Sequence, residues 1–112
     1  MTNHSFPHHR LQVFGLSVEL VRAVGRARIE DARLREQARK SAASAALNCA
    51  EGAARESVAD KKRVLRIARA EACEAVAAVE IAHAMGACGE QDLEAVLAIG
   101  AHVDNVLRKL TS

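Results

Sequence analysis

The sequence has no tryptophan, no tyrosine and only two phenylalanines, Phe6 and Phe14, in 112 residues. With so few rings, base stacking on aromatic side chains is not a workable way for this chain to read single-stranded nucleic acid. It has one proline, Pro7, so the chain carries few obligatory helix breaks. No run of about 18 apolar residues occurs, which excludes an ordinary membrane-spanning helix. No strand-like alternation and no hairpin dipeptide is found. P-loop, GxGxxG, HExxH and Gly-x-Ser-x-Gly patterns are absent, and the expectation is a protein without enzymatic activity or cofactor. Residues 1–10 are polar and His-rich rather than apolar, so no secretory leader is expected and a cytoplasmic location is. The cysteines Cys49, Cys73 and Cys88 are odd in number and lack CxxC spacing. They read as reduced, small core residues rather than as a disulfide or zinc framework.

What the chain has instead is alanine. Half of its residues are hydrophobic, so a single domain of this length can build a core. Alanine buries little area but lets helix backbones approach closely, and a small alanine-rich core implies recovery of stability by self-association.

Periodicity places four helices after a loose arm at residues 1–9, within a domain spanning 10–110. The first is expected over about 8–27, with Leu11, Phe14, Val18, Val21 and Gly25 on its inner stripe and Leu20 and Val24 beside them. Asp31 is a candidate N-cap for the second, which runs to about 54 with a face of small residues: Leu34, Ala38, Ser41 or Ala42, Ala45, Asn48 or Cys49, and Gly52. Ser57 caps the third, with Asp60 completing a weak capping box, and Gly86 ends it as the left-handed residue. The fourth spans about 90–110. Short links between amphipathic helices predict an all-α, up-down antiparallel four-helix bundle. Extra apolar width on helices one and four, at Leu16, Leu20 and Val24 and at Ile99 and Val106, predicts a subunit interface there and, with the family resemblance below, a ring oligomer.

Charge is unevenly spread. Residues 28–69 carry 11 basic and 6 acidic side chains, and residues 70–112 carry 2 basic and 7 acidic. The candidate nucleic-acid-binding residues are Arg35, Arg39 and Lys40 on helix two, Arg55 in the turn, and Lys61, Lys62, Arg63, Arg66 and Arg69 on helix three. Lys62, Arg66 and Arg69 share one helical face, suited to phosphates. The plainer alternative is a solvated face, partly neutralised by Glu36 with Lys40 and Glu51 with Arg55. Asn48 and Glu51 lie on the small face of helix two. A carboxylate buried there needs a partner, so Asn48, Glu51 and Arg69 are expected to form a polar latch, with Arg55 as second choice for Glu51. Glu80 and His83 match one Glu-x-x-His element of a di-iron bundle, but a second copy is absent and no metal is expected.

Several segments carry a family resemblance. They are Leu11-Gln12-Val13-Phe14, Leu34 through Ser41, Ser44, Asn48-Cys49-Ala50-Glu51-Gly52, and Leu65-Arg66-Ile67-Ala68-Arg69 with Glu74. Together these resemble the bacterial four-helix-bundle proteins encoded by 23S ribosomal RNA intervening sequences. Phe14 stands where that family has Trp, Lys40 where it has Arg, and Ala70-Glu71 where it has Gly-Ser. The resemblance implies an up-down bundle assembling into homopentamers around a central channel. A more distant similarity, to accessory variability proteins of diversity-generating retroelements, implies RNA or DNA and a reverse transcriptase as partners. The alternative to nucleic-acid binding is a structural or protein-interaction bundle, in which the basic segment meets the acidic segment of a neighbouring subunit.

Overall fold

The computed structural model describes residues 4–112. A 3-10 turn, Pro7–Arg10, precedes four α-helices: α1 Gln12–Arg26, α2 Ala32–Ala54, α3 Val58–Ala84 and α4 Glu90–Leu110. No strand occurs among the described residues. Each helix packs on its neighbours in chain order, α4 also lies against α1, and the α2–α3 pair is the most extensive of these contacts. The result is a four-helix bundle.

Local chemistry explains most boundaries. The Asp31 carboxylate accepts the Leu34 N–H at 2.9 Å, and the Ser57 hydroxyl accepts the Asp60 N–H at 3.1 Å. Both satisfy amides that a helix start leaves without partners. Gly86 has φ of 79°, the left-handed conformation that closes α3. The α1 start differs from the sequence expectation. Pro7 opens a 3-10 turn, Leu11 is extended, and α1 begins only at Gln12. The turn is held by the Phe6 N–H donating to His9 Nδ1 at 3.0 Å, and the His8 ring packs edge-on against Phe14. Residues 7–9 of the expected loose arm therefore have defined structure, while residues 1–3 lie outside the described residues.

The inner stripe of α1 is also shifted from the expected one. Val13, Ser17, Leu20 and Val24 are fully buried, whereas Phe14, Val18 and Val21 are half-buried and Gly25 is exposed. Ser17 is tolerated inside because its hydroxyl donates to the Phe14 carbonyl at 2.6 Å.

Alanine dominates where α2 meets α3. Ala38, Ala42, Ala45, Ala68, Ala72 and Ala75 are all essentially inaccessible. Gly52 has no room for a side chain: a Cβ there would lie 2.7 Å from Leu65 Cδ2. Cys49 and Cys88 are buried, and burial pushes the Cys49 thiol up to about 11. Cys73 is exposed, which corrects its expected place in the core. It sits on the α4 side of α3, next to Asp104 rather than under it.

The surplus apolar width of α1 and α4 is directed partly inward. Leu20 and Val24 are buried, and Leu16, Ile99 and Val106 pack against the core. The contact between α1 and α4 covers part of that surface and leaves Leu16, Ile99 and Val106 half-buried. Large exposed apolar side chains also occur on α2 and α3: Leu47 is 70% exposed, Ile67 42%, Ile81 52%. On α3, Ile67, Ala70, Glu74, Ala77 and Ile81 form one exposed row at 3,4 spacing, and on α2 Ala43, Leu47 and Ala54 are exposed in a similar row with Ala50 half-buried between them.

Candidate nucleic-acid interface

Most of the basic side chains grip helix ends within the same chain. Arg35 donates to the Ile29 carbonyl at 2.8 Å, just past the end of α1, and Arg39 reaches the Gly25 carbonyl at 3.4 Å. Lys61 donates to the Ala53 carbonyl at 2.8 Å, in the last turn of α2. Lys62 donates to the Ser112 carbonyl at 2.9 Å and Arg66 to the Thr111 carbonyl at 2.7 Å, beyond the end of α4. A cation at a helix C-terminus satisfies orphan carbonyls and opposes the negative end of the macrodipole. Each of these groups retains donors for a further acceptor.

Two cations are committed to carboxylates in the α2–α3 turn. Arg55 lies 3.4 Å from both Glu51 and Asp60, and Arg63 pairs with Asp60 at 2.9 Å. Lys40 is exposed and has no ion pair among the described residues, so the expected Glu36–Lys40 pair does not form.

Apart from Arg69, the candidate basic residues therefore fall into two groups. Arg35, Arg39 and Lys40 lie along one face of α2 towards its N-terminus, where with Ala32 and Glu36 they line a shallow depression. Arg55, Lys61, Lys62, Arg63 and Arg66 lie where α2 and α4 end and α3 begins. Arg10 joins them there, lining the same cleft as Lys61 and Lys62. Sequence reasoning missed Arg10, and no local signal could have placed it.

The expected latch of Asn48, Glu51 and Arg69 does not assemble. Glu51 is exposed and pairs with Arg55, its second-choice partner. The Asn48 amide donates to the Ser44 carbonyl one turn earlier, at 2.9 Å. Arg69 instead holds Asp104 of α4 at 2.6 Å, and so links α3 to α4. That hydrogen bond, followed by the attraction of the two charges, keeps the Asp104 carboxyl below its ordinary value despite partial burial. A carboxylate with a depressed folded-state pKa contributes stability above its unfolded value, near pH 4, and loses it as pH falls. Asp104→Asn is expected to lower the urea midpoint at pH 7 and to lower it less at pH 3. An equal difference at both pH values would show that the charge pair contributes nothing.

Glu80 is exposed in a groove between α3 and α4 that Cys73, Val76, Gly100 and Asp104 also line. Among the described residues, His83 is not brought together with the carboxylates a metal would need. No helix among the described residues is long and apolar enough to cross a membrane.

Residues 9–111 match the model of a family described as 23S rRNA-intervening sequence protein, a span that takes in all four helices. The chain belongs to that family. No curated protein matches it. The segments that carry the likeness to the intervening-sequence proteins can now be read physically. In Asn48-Cys49-Ala50-Glu51-Gly52, Cys49 is buried and Gly52 admits Leu65; in Leu65-Arg66-Ile67-Ala68-Arg69, Ala68 is buried and Arg69 ties α3 to α4. Much of that signature is therefore the close packing of α2 on α3.

Proposed function

We propose that this intervening-sequence protein is a non-enzymatic, self-assembling up-down antiparallel bundle that binds the backbone of RNA or DNA. The observation that carries the reading is the convergence of Arg10, Lys61, Lys62 and Arg66 at the end of the bundle where α2 and α4 finish. Arg55 and Arg63 flank them, and Arg108 and Lys109 lie in the last turn of α4. The alternating order of the helices is supported by reversed pairings: Gly52 with Leu65 and Gln37 with Glu74 between α2 and α3, Val76 with Gly100 and Arg66 with Thr111 between α3 and α4. Where neighbouring helices alternate in direction, their macrodipoles largely cancel, and the field at this end is set by side chains. With no spare aromatic rings, contacts are to phosphates and shape rather than to bases.

Repetition of the patch around a ring would multiply the phosphate contacts. A pentamer is what the family resemblance implies, and a nucleic-acid enzyme such as a reverse transcriptase is the partner that its more distant similarity implies. A cytoplasmic setting fits both the reduced cysteines and an RNA partner.

Binding to an RNA hairpin and a matched DNA duplex across a salt series tests this. Affinity is expected to fall steeply with salt, and Lys62→Ala/Arg66→Ala to reduce the slope by about 0.7–0.9 for each phosphate that is no longer neutralised. Arg35→Ala/Arg39→Ala, at the other end of α2, is expected to leave the slope unchanged. Absence of binding at low salt would sink the proposal. The second reading, a structural or protein-interaction bundle, is favoured by the exposed apolar rows of α2 and α3.

A further inference from the structure

The cleft at the basic end has a second property that phosphate binding does not use. It encloses about 300 Å³ between the Pro7–Arg10 turn, the end of α2 and the start of α3. Its walls include Leu11, Val58, Leu65 and Leu110. Val58 and Leu110 are among the large apolar side chains that the chain leaves exposed, at 68% and 39%. Arg10, Lys61 and Lys62 line the same cleft. Lys61 and Lys62 each hold one carbonyl, which leaves further ammonium donors, and Arg10 has no side-chain hydrogen bond or ion pair among the described residues.

We infer that this cleft binds a small amphipathic anion, a medium-chain aliphatic carboxylate, with its chain against Val58, Leu65 and Leu110 and its carboxylate among Arg10, Lys61 and Lys62. A bare phosphodiester gains nothing from the apolar wall. A neutral hydrocarbon gains nothing from three cations. A ligand with one charged end and one apolar end uses both, and the volume is at the lower limit of ordinary small-molecule sites. The charge is met at the surface, where it is not stripped of all its water, while the chain covers apolar area that is otherwise wet.

The test is titration of the whole protein, free of nucleic acid, with octanoate below its micelle concentration, and with acetate and 1-octanol as controls. Methyl spectra report the site, and calorimetry the affinity. Octanoate is expected to shift the methyls of Leu11, Val58, Leu65 and Leu110, and to bind about tenfold or more tightly than either control, each tenfold being one decade in Kd. Val58→Asp puts a carboxylate where the chain would lie, at the first residue of α3, where an acidic side chain suits the helix start. Arg10→Ala removes an exposed cation. Both variants are expected to keep the parent melting temperature and to lose octanoate binding by about tenfold or more. Equal binding of octanoate and acetate reduces the site to general anion attraction and overturns the inference. Equal binding of octanoate and 1-octanol overturns it as well, as does the absence of methyl shifts at millimolar octanoate. Because no nucleic acid is present, none of these outcomes depends on whether the basic end also binds RNA or DNA.

Discussion

Leu20→Ala is expected to destabilise the folded chain by about 3–5 kcal/mol, the upper part of the range for a buried leucine. Among the described residues, Leu20 and Leu107 are the largest side chains that are fully buried. Apart from Ile29 and Leu65, the rest of the buried core is valine, alanine and cysteine, so Leu20 and Leu107 supply a large share of its apolar area. The cost lies high in the range because the surroundings cannot collapse. Val13 and Val24, one helical turn or two away on the same stripe, are β-branched and stiff at χ1, and alanines have no side chain to move. The cavity therefore stays open. Against a total stability of order 5–15 kcal/mol, such a loss takes away a large fraction. Urea melts followed by helical circular dichroism measure it, with Lys40→Ala, at an exposed site on α2 with no ion pair among the described residues, expected to change stability by no more than about 0.5 kcal/mol. A Leu20→Ala cost under about 1 kcal/mol would mean that the alanine core repacks far more freely than its geometry allows.

The same composition explains what could be read from the sequence and what could not. Residues with their own punctuation were legible. Asp31, Ser57 and Gly86 mark ends by local hydrogen bonding or backbone conformation, and α2, α3 and α4 begin and end close to where those residues place them. Pro7 was ambiguous, because a proline at a first helical position serves a 3-10 turn as well as an α-helix. Faces were harder to read than ends. Ala43 and Ala54 face outward on α2 while Ala38, Ala42 and Ala45 face inward. Hydropathy does not distinguish the two sets, and for that reason Glu51 seemed to lie on the packed face when it lies in solvent. On α1 the misleading residue was Ser17, a polar side chain at the centre of the true stripe.

The candidate site was legible as a set of charges but not as a set of partners. Helical spacing correctly placed Lys62, Arg66 and Arg69 on one side of α3. It carried no information about what would meet that side. Arg69 finds Asp104 across 35 positions of sequence, and Arg66 finds Thr111 across 45. Such pairings follow from the way α4 returns along α3. They turn a presumed free basic face into one that is half spent on closing helix ends. What remains for an external anion is the convergence at one end of the bundle, to which Arg10 contributes from the opposite end of the sequence.

The largest effect on assembly is expected from Leu47→Lys/Ile67→Lys. The register of the hairpin, with Gly52 beside Leu65 and Gln37 bonded to Glu74, brings Leu47 to the level of Ile67, and both are exposed. Around them the outer rows of α2 and α3 present alanine, a surface on which another helix can pack at short range. Full burial of a leucine or isoleucine side chain is worth about 1.5–3 kcal/mol, and a lysine in its place brings a charge that must be desolvated. Two such changes in one contact are expected to weaken self-association at least about 100-fold, or roughly 3 kcal/mol per interface. The monomer should be unharmed, because neither side chain belongs to the core. Sedimentation velocity over a range of concentrations separates the outcomes. A parent that sediments as an oligomer beside a variant that sediments as a folded monomer would assign the interface to the α2–α3 face. If parent and variant share one oligomeric state, the contact lies elsewhere, and the exposed leucine and isoleucine need a different partner. If the parent is itself a monomer at high concentration, self-assembly is wrong, and a basic end presented once, rather than around a ring, must supply any affinity for nucleic acid by itself.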